Sequence, residues 1–431
     1  MKVYPKYKSS GVDLIGDIPE HWKIIKIKFT EKLIMGQSPD SNDVTNFEKG
    51  LPFLQGNAEF KSFYPIAENW CNNPNKIALK DDLLLSVRAP VGALNIADQN
   101  YGIGRGLCAI RAKANLRDFL FYFFSISKEE LNRKATGSTF TAITVNTLAN
   151  VLVSQAPLSE QQQIVNFLDY KTGQCCDRFI GNRQKQIELL NEQKAAIINK
   201  AVTKGINPNA KMKPSGIDWI GDIPEHWEVK KIKRIHQTAS GGTPNTTNPN
   251  YYGGNIPWIR TLDLNNGKID QCEIYITALG LLDSSAKLIP QNSILIAMYG
   301  GSGTIGKSGL LNFKAAINQA ICAILPNKKT LPDFLYYFVL FYRPFWMIGA
   351  SGARKDPNIS QDEIKNTDFV FPPLNEQKQI VDFIEKETSK IETLISKYQK
   401  QIELMQEYRT ALISQAVTGK IDVRDWKPQT K

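Results

Sequence analysis

Eight consecutive residues occur twice in this chain. Ile15-Gly16-Asp17-Ile18-Pro19-Glu20-His21-Trp22 returns unchanged as Ile220-Gly221-Asp222-Ile223-Pro224-Glu225-His226-Trp227, 205 positions later. Identity of that length at that distance marks internal duplication, and a duplication constrains the fold more than any other feature here. The chain must build one module twice, and its work must need two copies.

Further anchors extend the repeat. Lys26-Ile27-Lys28 matches Lys231-Ile232-Lys233. Phe119–Phe123 matches Phe334–Phe338 at offset 215, Pro157–Val165 matches Pro373–Val381 at 216, and Gln184–Leu189 matches Gln399–Leu404 at 215. The offset grows by 10 between the first and second anchors, so insertions are expected there in the second copy. Each copy thus has an entry motif, a body in which the copies mostly disagree, and a closing segment in which they agree again. The expected division is a body at 1–156, a helix at 157–206, a body at 207–372, and a helix with a tail at 373–431.

The closing segments read as long helices. Ser159 with Gln162 forms a capping-box pattern, and Asn375 stands ready to cap the second helix. Apolar residues recur at Ile164, Leu168, Phe179, Ile187, Leu190, Ile197 and Ala201, and Gly205 and Pro208 stop the run. In the second copy the stripe is Ile380, Ile384, Ile391, Leu394, Tyr398, Ile402, Met405, Tyr408, Leu412 and Ala416, ended by Gly419. Steps of three and four sustained this long mark a coiled-coil seam. About 40 residues at 1.5 Å each give roughly 60 Å. The expected fold is α/β (α+β): two pseudo-repeated globular domains separated by two long antiparallel helices that form a coiled coil. Within the bodies, Lys80–Val87 and Pro290–Ala297 read as matched turn-plus-strand units, Leu107–Ile110 and Ile321–Ile324 as a second matched strand. The aromatic runs at 119–126 and 334–341 each begin a short buried helix.

A net charge of +11 and a pI near 9.1 favour polyanions, nucleic acid first. The longest apolar run, Phe119–Ile126, falls short of the roughly 20 residues that cross a bilayer. No secretory core precedes Asp13, so a cytoplasmic chain with reduced thiols is expected, and membranes are not expected as partners. Six cysteines without C-x-x-C spacing and three histidines give no legible metal site.

Catalytic motifs are weak. Gly301-Ser302-Gly303-Thr304-Ile305-Gly306-Lys307-Ser308 fits the P-loop pattern after an expected strand, which makes a nucleotide hydrolase centred on Lys307 the rival enzymatic reading. A P-loop needs a helix next, and Gly309-Leu310-Leu311-Asn312-Phe313 is a poor helix start. Asn248-Pro249-Asn250-Tyr251 lacks the second proline of the motif with which adenine methyltransferases hold a flipped base. His21 and His226 precede tryptophan in the octapeptide. Catalysis would not require the same rigid stretch twice, whereas a turn that plugs an aromatic into each body would. A coiled-coil adaptor without sequence-specific DNA binding is the rival structural reading.

The divergent bodies carry polar, basic and aromatic residues in expected loops. Arg reads guanine edges, Asn and Gln read adenine edges, and Lys, Ser and Thr mostly hold phosphate. Candidate DNA contacts in the first copy are Gln37, Ser38, Lys61, Arg88, Arg105 and Thr139. In the second they are Thr243, Asn245, Tyr251, Tyr252, Arg260, Tyr299, Lys307, Gln319, Arg354 and Lys355. No catalytic and no metal-binding residue is expected.

With its duplicated module, the Pro-Glu-His-Trp entry, the Pro-Leu-x-Glu-Gln-x-x-Ile-Val helix start and long helices running to Ala-Val-Thr, the chain resembles the specificity subunit of type I restriction-modification systems. The resemblance covers essentially the whole chain. It implies two target-recognition domains, each reading one half of a bipartite, asymmetric site in double-stranded DNA. It implies that the helical pair sets the unread spacer and docks two modification (methyltransferase) subunits. S-adenosylmethionine would then belong to those partners, and ATP and magnesium to accompanying restriction subunits, with no cofactor on this chain. The chain would be a targeting subunit and no enzyme by itself.

Overall fold

The computed structural model describes residues 2–135, 142–300, 303–351 and 358–428, with backbone alone at 348–351. Two compact units emerge. The first comprises residues 1–184 with 399–431, the second residues 185–398. Each unit therefore holds one part of either long helix.

In the first unit a four-stranded antiparallel sheet runs in the order Leu94–Ile96, Leu83–Ser86, Leu107–Arg111, Lys32–Met35. A second sheet of five short strands follows the order Val44–Thr45, Asn69–Cys71, Leu51–Leu54, Tyr101–Ile103, Ile77–Ala78, with Leu51–Leu54 parallel to Tyr101–Ile103. Leu83–Ser86 and Leu107–Ile110 are buried on both faces, which is why they read as continuous apolar runs. The second unit repeats this plan. Thr238–Ser240, Ile321–Ile324, Ile294–Ala297 and Ser308–Leu311 form the matching sheet, to which Gly267–Ile269 adds a parallel edge strand with no counterpart.

Hydrogen-bond registers locate the insertions. Leu54 accepts from the Gly104 amide as Ile259 does from Asn318, still at offset 205 on the acceptor side. Gly92 donates to Ser86 as Gly306 does to Ala297, by which point the offsets are 214 and 211. Cys71 pairs with Leu51 as Ile276 does with Ile256, still at offset 205, and Ile77 corresponds to Leu288 at 211, so six extra residues fall between Ile276 and Leu288, where the helix Ala278–Leu282 lies, and three more in the loop after Ala297. That loop is the P-loop lookalike. It joins two antiparallel neighbours, Ile294–Ala297 and Ser308–Leu311, so a strand follows Lys307 where a phosphate site needs a helix N-terminus. Gly301 and Ser302 lie outside the described residues.

The aromatic run of the first unit forms the helix Arg117–Ile126. Its twin is not short: Pro332–Ser351 continues through Pro344, with Trp219 packed on Tyr342 and Phe345 at 4.9 and 4.8 Å between ring centroids. Apolar spacing continues past Phe341 through Phe345 and Trp346, and these rings hold the extra turns.

The first long helix is composite. Leu158–Leu168 and Arg178–Lys204 are α-helical, and the segment between them, Asp169–Asp177, is π-wound. Within it Asp169 and Thr172 both reach the Tyr122 hydroxyl, at 2.7 and 3.3 Å. The second helix, Leu374–Val417, is uninterrupted. Neither starts with the expected cap: Pro157 precedes the first without a side-chain cap, and the second already begins at Leu374. Antiparallel pairing holds within each unit. In the first, Arg409 meets Asp177 at 3.0 Å, and Ser154, in the strand Leu152–Gln155 just before the first helix, donates to the Val417 carbonyl at 2.7 Å. In the second, Lys194 meets Glu392 at 2.5 Å and Gly205 stands beside Glu376. The seam departs from expectation at Leu394 and Tyr408, which are exposed. Ile395, four residues beyond buried Ile391, is half-buried instead.

The octapeptide is an aromatic plug in both units. Trp22 and Trp227 are fully buried. Glu160 accepts from Trp22 Nε1 (3.0 Å), His21 Nε2 (2.7 Å) and the Tyr4 hydroxyl (3.1 Å). Glu376 accepts from Trp227 Nε1 (2.9 Å) and His226 Nε2 (2.7 Å). The following glutamine repeats a second task. Gln161 Oε1 accepts the Leu116 amide and Gln377 Oε1 the Leu331 amide, both at 2.8 Å, tying each long helix to its body. The recurring Glu-Gln pair is explained by these bonds, not by capping.

Candidate nucleic-acid interface

Each unit brings four of its loop positions to one corner, where several strands end together. In the first unit Gln37 donates its amide to Ile103, Gly104 to Leu54, and Val87 to Gly106. In the second unit Gly242 donates to Ile317, Asn318 to Ile259, and Met298 to Ala320. These bonds equate Ser38 with Thr243, Gln55 with Arg260, Arg88 with Tyr299, and Arg105 with Gln319. Candidate residues chosen separately in two divergent bodies therefore fall on matched places of one scaffold.

The first corner is open and basic. Arg88 and Arg105 are exposed, and neither makes an ion pair among the described residues. Gln37 is exposed and Ser38 half-buried. Gln55, which is not among the candidates above, follows the strand Leu51–Leu54 and donates from Nε2 to Ser38 Oγ at 3.4 Å. A Cβ on Gly104 would lie 2.7 Å from Gln55 Oε1, so the glutamine's position requires glycine there. The signal that could have found Gln55 is the offset of 205, which carries unchanged to Arg260. Lys61 lies elsewhere: its carbonyl accepts from Asn95 Nδ2 at 2.8 Å, beside the strand Leu94–Ile96. Thr139 lies outside the described residues.

The second corner is more constrained. Thr243 Oγ1 donates to Gln319 Oε1 at 2.5 Å. Arg260 leans on Asp263 (3.7 Å) and Glu273 (3.4 Å). Tyr252 donates to the Pro244 carbonyl (2.7 Å) and Trp258 Nε1 to that of Gly242 (3.2 Å), so both hold the turn that presents Thr243. Burial raises the Tyr252 pKa above its ordinary value, which keeps this hydroxyl a donor. Tyr251 is tied to Asp283 at 3.1 Å, and Asn245 closes a local turn by accepting from Thr247. Tyr299 is exposed at the corner. Lys307 is half-buried at the far end of the glycine loop, matched by Ala93. Arg354 and Lys355 lie outside the described residues.

Among the described residues, no cluster of His, Cys, Asp and Glu is arranged to hold a metal, and no helix is long and apolar enough to cross a membrane. Two copies of one mixed α/β scaffold, each exposing a polar corner of different chemistry, define a duplicated recognition module. The family model of the type I restriction modification DNA specificity domain matches residues 19–189 and 224–404, once per copy, and the chain belongs to that family. It is 26% identical over 431 residues to the type I restriction enzyme MjaIX specificity subunit of Methanocaldococcus jannaschii, covering 95% of this chain and 96% of that protein. It is 37% identical over 202 residues to a putative MjaX specificity subunit of the same organism, a match spanning 46% of either chain. A solved structure from work on complex assembly and conformational transition of the type I R-M system superposes with a TM-score of 0.71 at 16% identity, over 94% of this chain and 99% of that one. Family membership places the chain among non-catalytic specificity components and leaves no support for the nucleotide-hydrolase or simple adaptor readings.

Proposed function

We propose that this chain is the sequence-reading subunit of a cytoplasmic type I restriction-modification complex and that it binds double-stranded DNA through the two corners. Each corner reads one half of a bipartite site. The unlike residues at matched positions carry this reading: Arg88 against Tyr299 and Arg105 against Gln319 present different hydrogen-bond codes from one scaffold, as an asymmetric site demands. Of the candidates, Gln37, Ser38, Arg88 and Arg105 serve one half-site, and Thr243, Arg260, Tyr299 and Gln319 the other. Lys61, Asn245, Tyr251, Lys307, Thr139, Arg354 and Lys355 take the flanking phosphate or shaping roles that loop residues commonly play.

The paired helices set the unread spacer and dock two modification subunits, which hold S-adenosylmethionine. Restriction subunits using ATP and magnesium can join the same assembly. Leu189 and Leu404 support the docking role, since they are identical in the two repeats and yet exposed. One exposed leucine means little, but a repeated one on a helix fits a repeated partner. The test is exchange of residues 23–156 for the matching stretch of another specificity subunit, with methylated sites read by sequencing the host genome. One half of the motif is expected to change. A change in both halves, or in neither, would refute modular reading.

A further inference from the structure

At two matched positions the units carry the same pair of chemistries in opposite order. In the first unit the strand Leu51–Leu54 leads into Gln55, and the loop after Tyr101–Ile103 carries Arg105. In the second the strand Tyr252–Ile259 leads into Arg260, and the loop after Ala315–Ile317 carries Gln319. Amide and guanidinium have changed places. The hydroxyl at the neighbouring position engages the glutamine in both settings: Gln55 Nε2 donates to Ser38 Oγ, and Thr243 Oγ1 donates to Gln319 Oε1. A hydroxyl that bonds the amide from either place points to a constraint on the glutamine, not on the strand that bears it.

We propose that Gln55 with Arg105, and Gln319 with Arg260, are the base-contacting pairs of the two readers. Each pair addresses one adenine and one guanine, in orders reversed between the two scaffolds. The inference rests on the DNA-specificity reading above and extends it to base identity and to Gln55.

The chemistry left free fits the task. Adenine offers a donor at N6 and an acceptor at N7, which an amide meets with its oxygen and one N–H. Ser38 occupies one N–H of Gln55 and leaves the other N–H and the carbonyl oxygen. Thr243 occupies one lone pair of Gln319 Oε1 and leaves the second lone pair and both N–H groups. The Thr243 bond thus holds the Gln319 amide in orientation before DNA arrives, which lowers the entropy lost on binding, and the longer 3.4 Å contact from Ser38 guides the Gln55 amide more loosely. Guanine offers acceptors at O6 and N7, which a guanidinium meets with two N–H groups. Arg105 is exposed and unpaired among the described residues. The Arg260 contacts are 3.4 Å to Glu273 and 3.7 Å to Asp263, and Glu273 is largely exposed, so the Glu273 contact yields to a base at little cost. Spacing agrees as well. Backbone bonds from Gly104 to Leu54 and from Asn318 to Ile259 set the two bearers side by side, at about the 4.8 Å of neighbouring strands. Stacked base pairs rise about 3.4 Å, so adjacent bearers address adjacent base pairs.

The test uses the full chain with its modification subunits in a host lacking other adenine methylation, reading the motif from methylated-base sequencing. Gln55→Ala is expected to relax one A·T position of one half-site, with discrimination there falling about 5- to 150-fold. The exchange Gln55→Arg with Arg105→Gln is expected to reverse the order of adenine and guanine at two adjacent positions of that half-site and leave the other half untouched. Gln55→Glu keeps the side chain's size and guards against a folding failure; it is expected to shift the preference toward cytosine, whose N4 amine donates to a carboxylate. A parent motif that stays equally strict in Gln55→Ala and Gln55→Glu overturns the inference alone. A parent chain that directs no bipartite methylation overturns the specificity reading and this inference together.

Discussion

Removing the carboxylate beneath each tryptophan plug should hurt the two units unequally. Glu160 serves two buried donors, Trp22 Nε1 and the Tyr4 hydroxyl, besides His21, whose side chain is 43% exposed and can turn to water. Glu376 serves Trp227 Nε1 and a 55% exposed His226, because Asn209, at the place of Tyr4, is exposed. Each buried donor left without an acceptor costs about 1–3 kcal/mol. Glu160→Ala should therefore cost the first unit about 2–6 kcal/mol, and Glu376→Ala the second about 1–3 kcal/mol. For units of about 150–250 residues, 1 kcal/mol moves Tm by about 2–4 °C. Burial, reinforced by the Glu160 carboxylate, raises the Tyr4 pKa far above its ordinary value, so in the variant an intact O–H stays stranded. Adding Tyr4→Phe to Glu160→Ala should then restore about 1–3 kcal/mol, although Tyr4→Phe alone destabilises. Hydrogen exchange on the full chain, followed at Phe119–Phe124 and at Phe334–Phe338, reports each unit separately. Equal losses for the two glutamate variants, or no rescue by Tyr4→Phe, would refute the reasoning.

Two further outcomes follow from buried and exposed groups elsewhere. Burial lowers the His236 pKa below 6.5, against the raising effect of its bond to the Leu325 carbonyl. The unfolded chain then binds more protons below pH 6.5, so this contribution to stability is present above that pH and lost as pH falls through the lowered folded value. Denaturant melts of His236→Gln between pH 7 and 5 should show a pH slope shallower than the parent's by up to about 1.4 kcal/mol per unit; parallel slopes would remove His236 as the cause. Leu189→Asp with Leu404→Asp places charges on exposed helix positions, so far-ultraviolet circular dichroism should stay unchanged while co-purification of modification subunits drops. Full recovery of the partners would locate their docking face elsewhere.

Periodicity made the long helices and the paired strands legible, because an apolar residue at every third or fourth position, or a short unbroken apolar run, has few other ways to bury its surface. It did not reveal the π-wound stretch Asp169–Asp177. Within that winding Asp169 and Thr172 meet Tyr122, a residue 47 positions from Asp169, and no local pattern encodes such a contact. The helix starts are concealed for a related reason. Ser159 and Asn375 look like caps, but the neighbouring Glu160 and Gln161, with Glu376 and Gln377, bind distant groups in the entry motif and the body. Their recurrence was visible in the sequence, whereas their partners were visible only in three dimensions.

The corner residues teach the complementary lesson. Arg88, Arg105, Tyr299 and Gln319 were recognisable as loop residues of suitable chemistry, yet nothing local distinguished them from Lys61 or Asn245, which the fold places elsewhere or binds into turns. What separates the groups is the strand register, since backbone bonds at offsets of 205, 211 and 214 carry the equivalence of the two corners across the insertions. Gln55 is inconspicuous in the sequence because its counterpart is an arginine, and similarity between the copies passes over a position at which they differ. In a duplicated reader the scaffold repeats and the code does not. The informative positions are those where matched backbone bonds carry unmatched side chains, and Gln55 with Arg260 is the pair that this criterion adds.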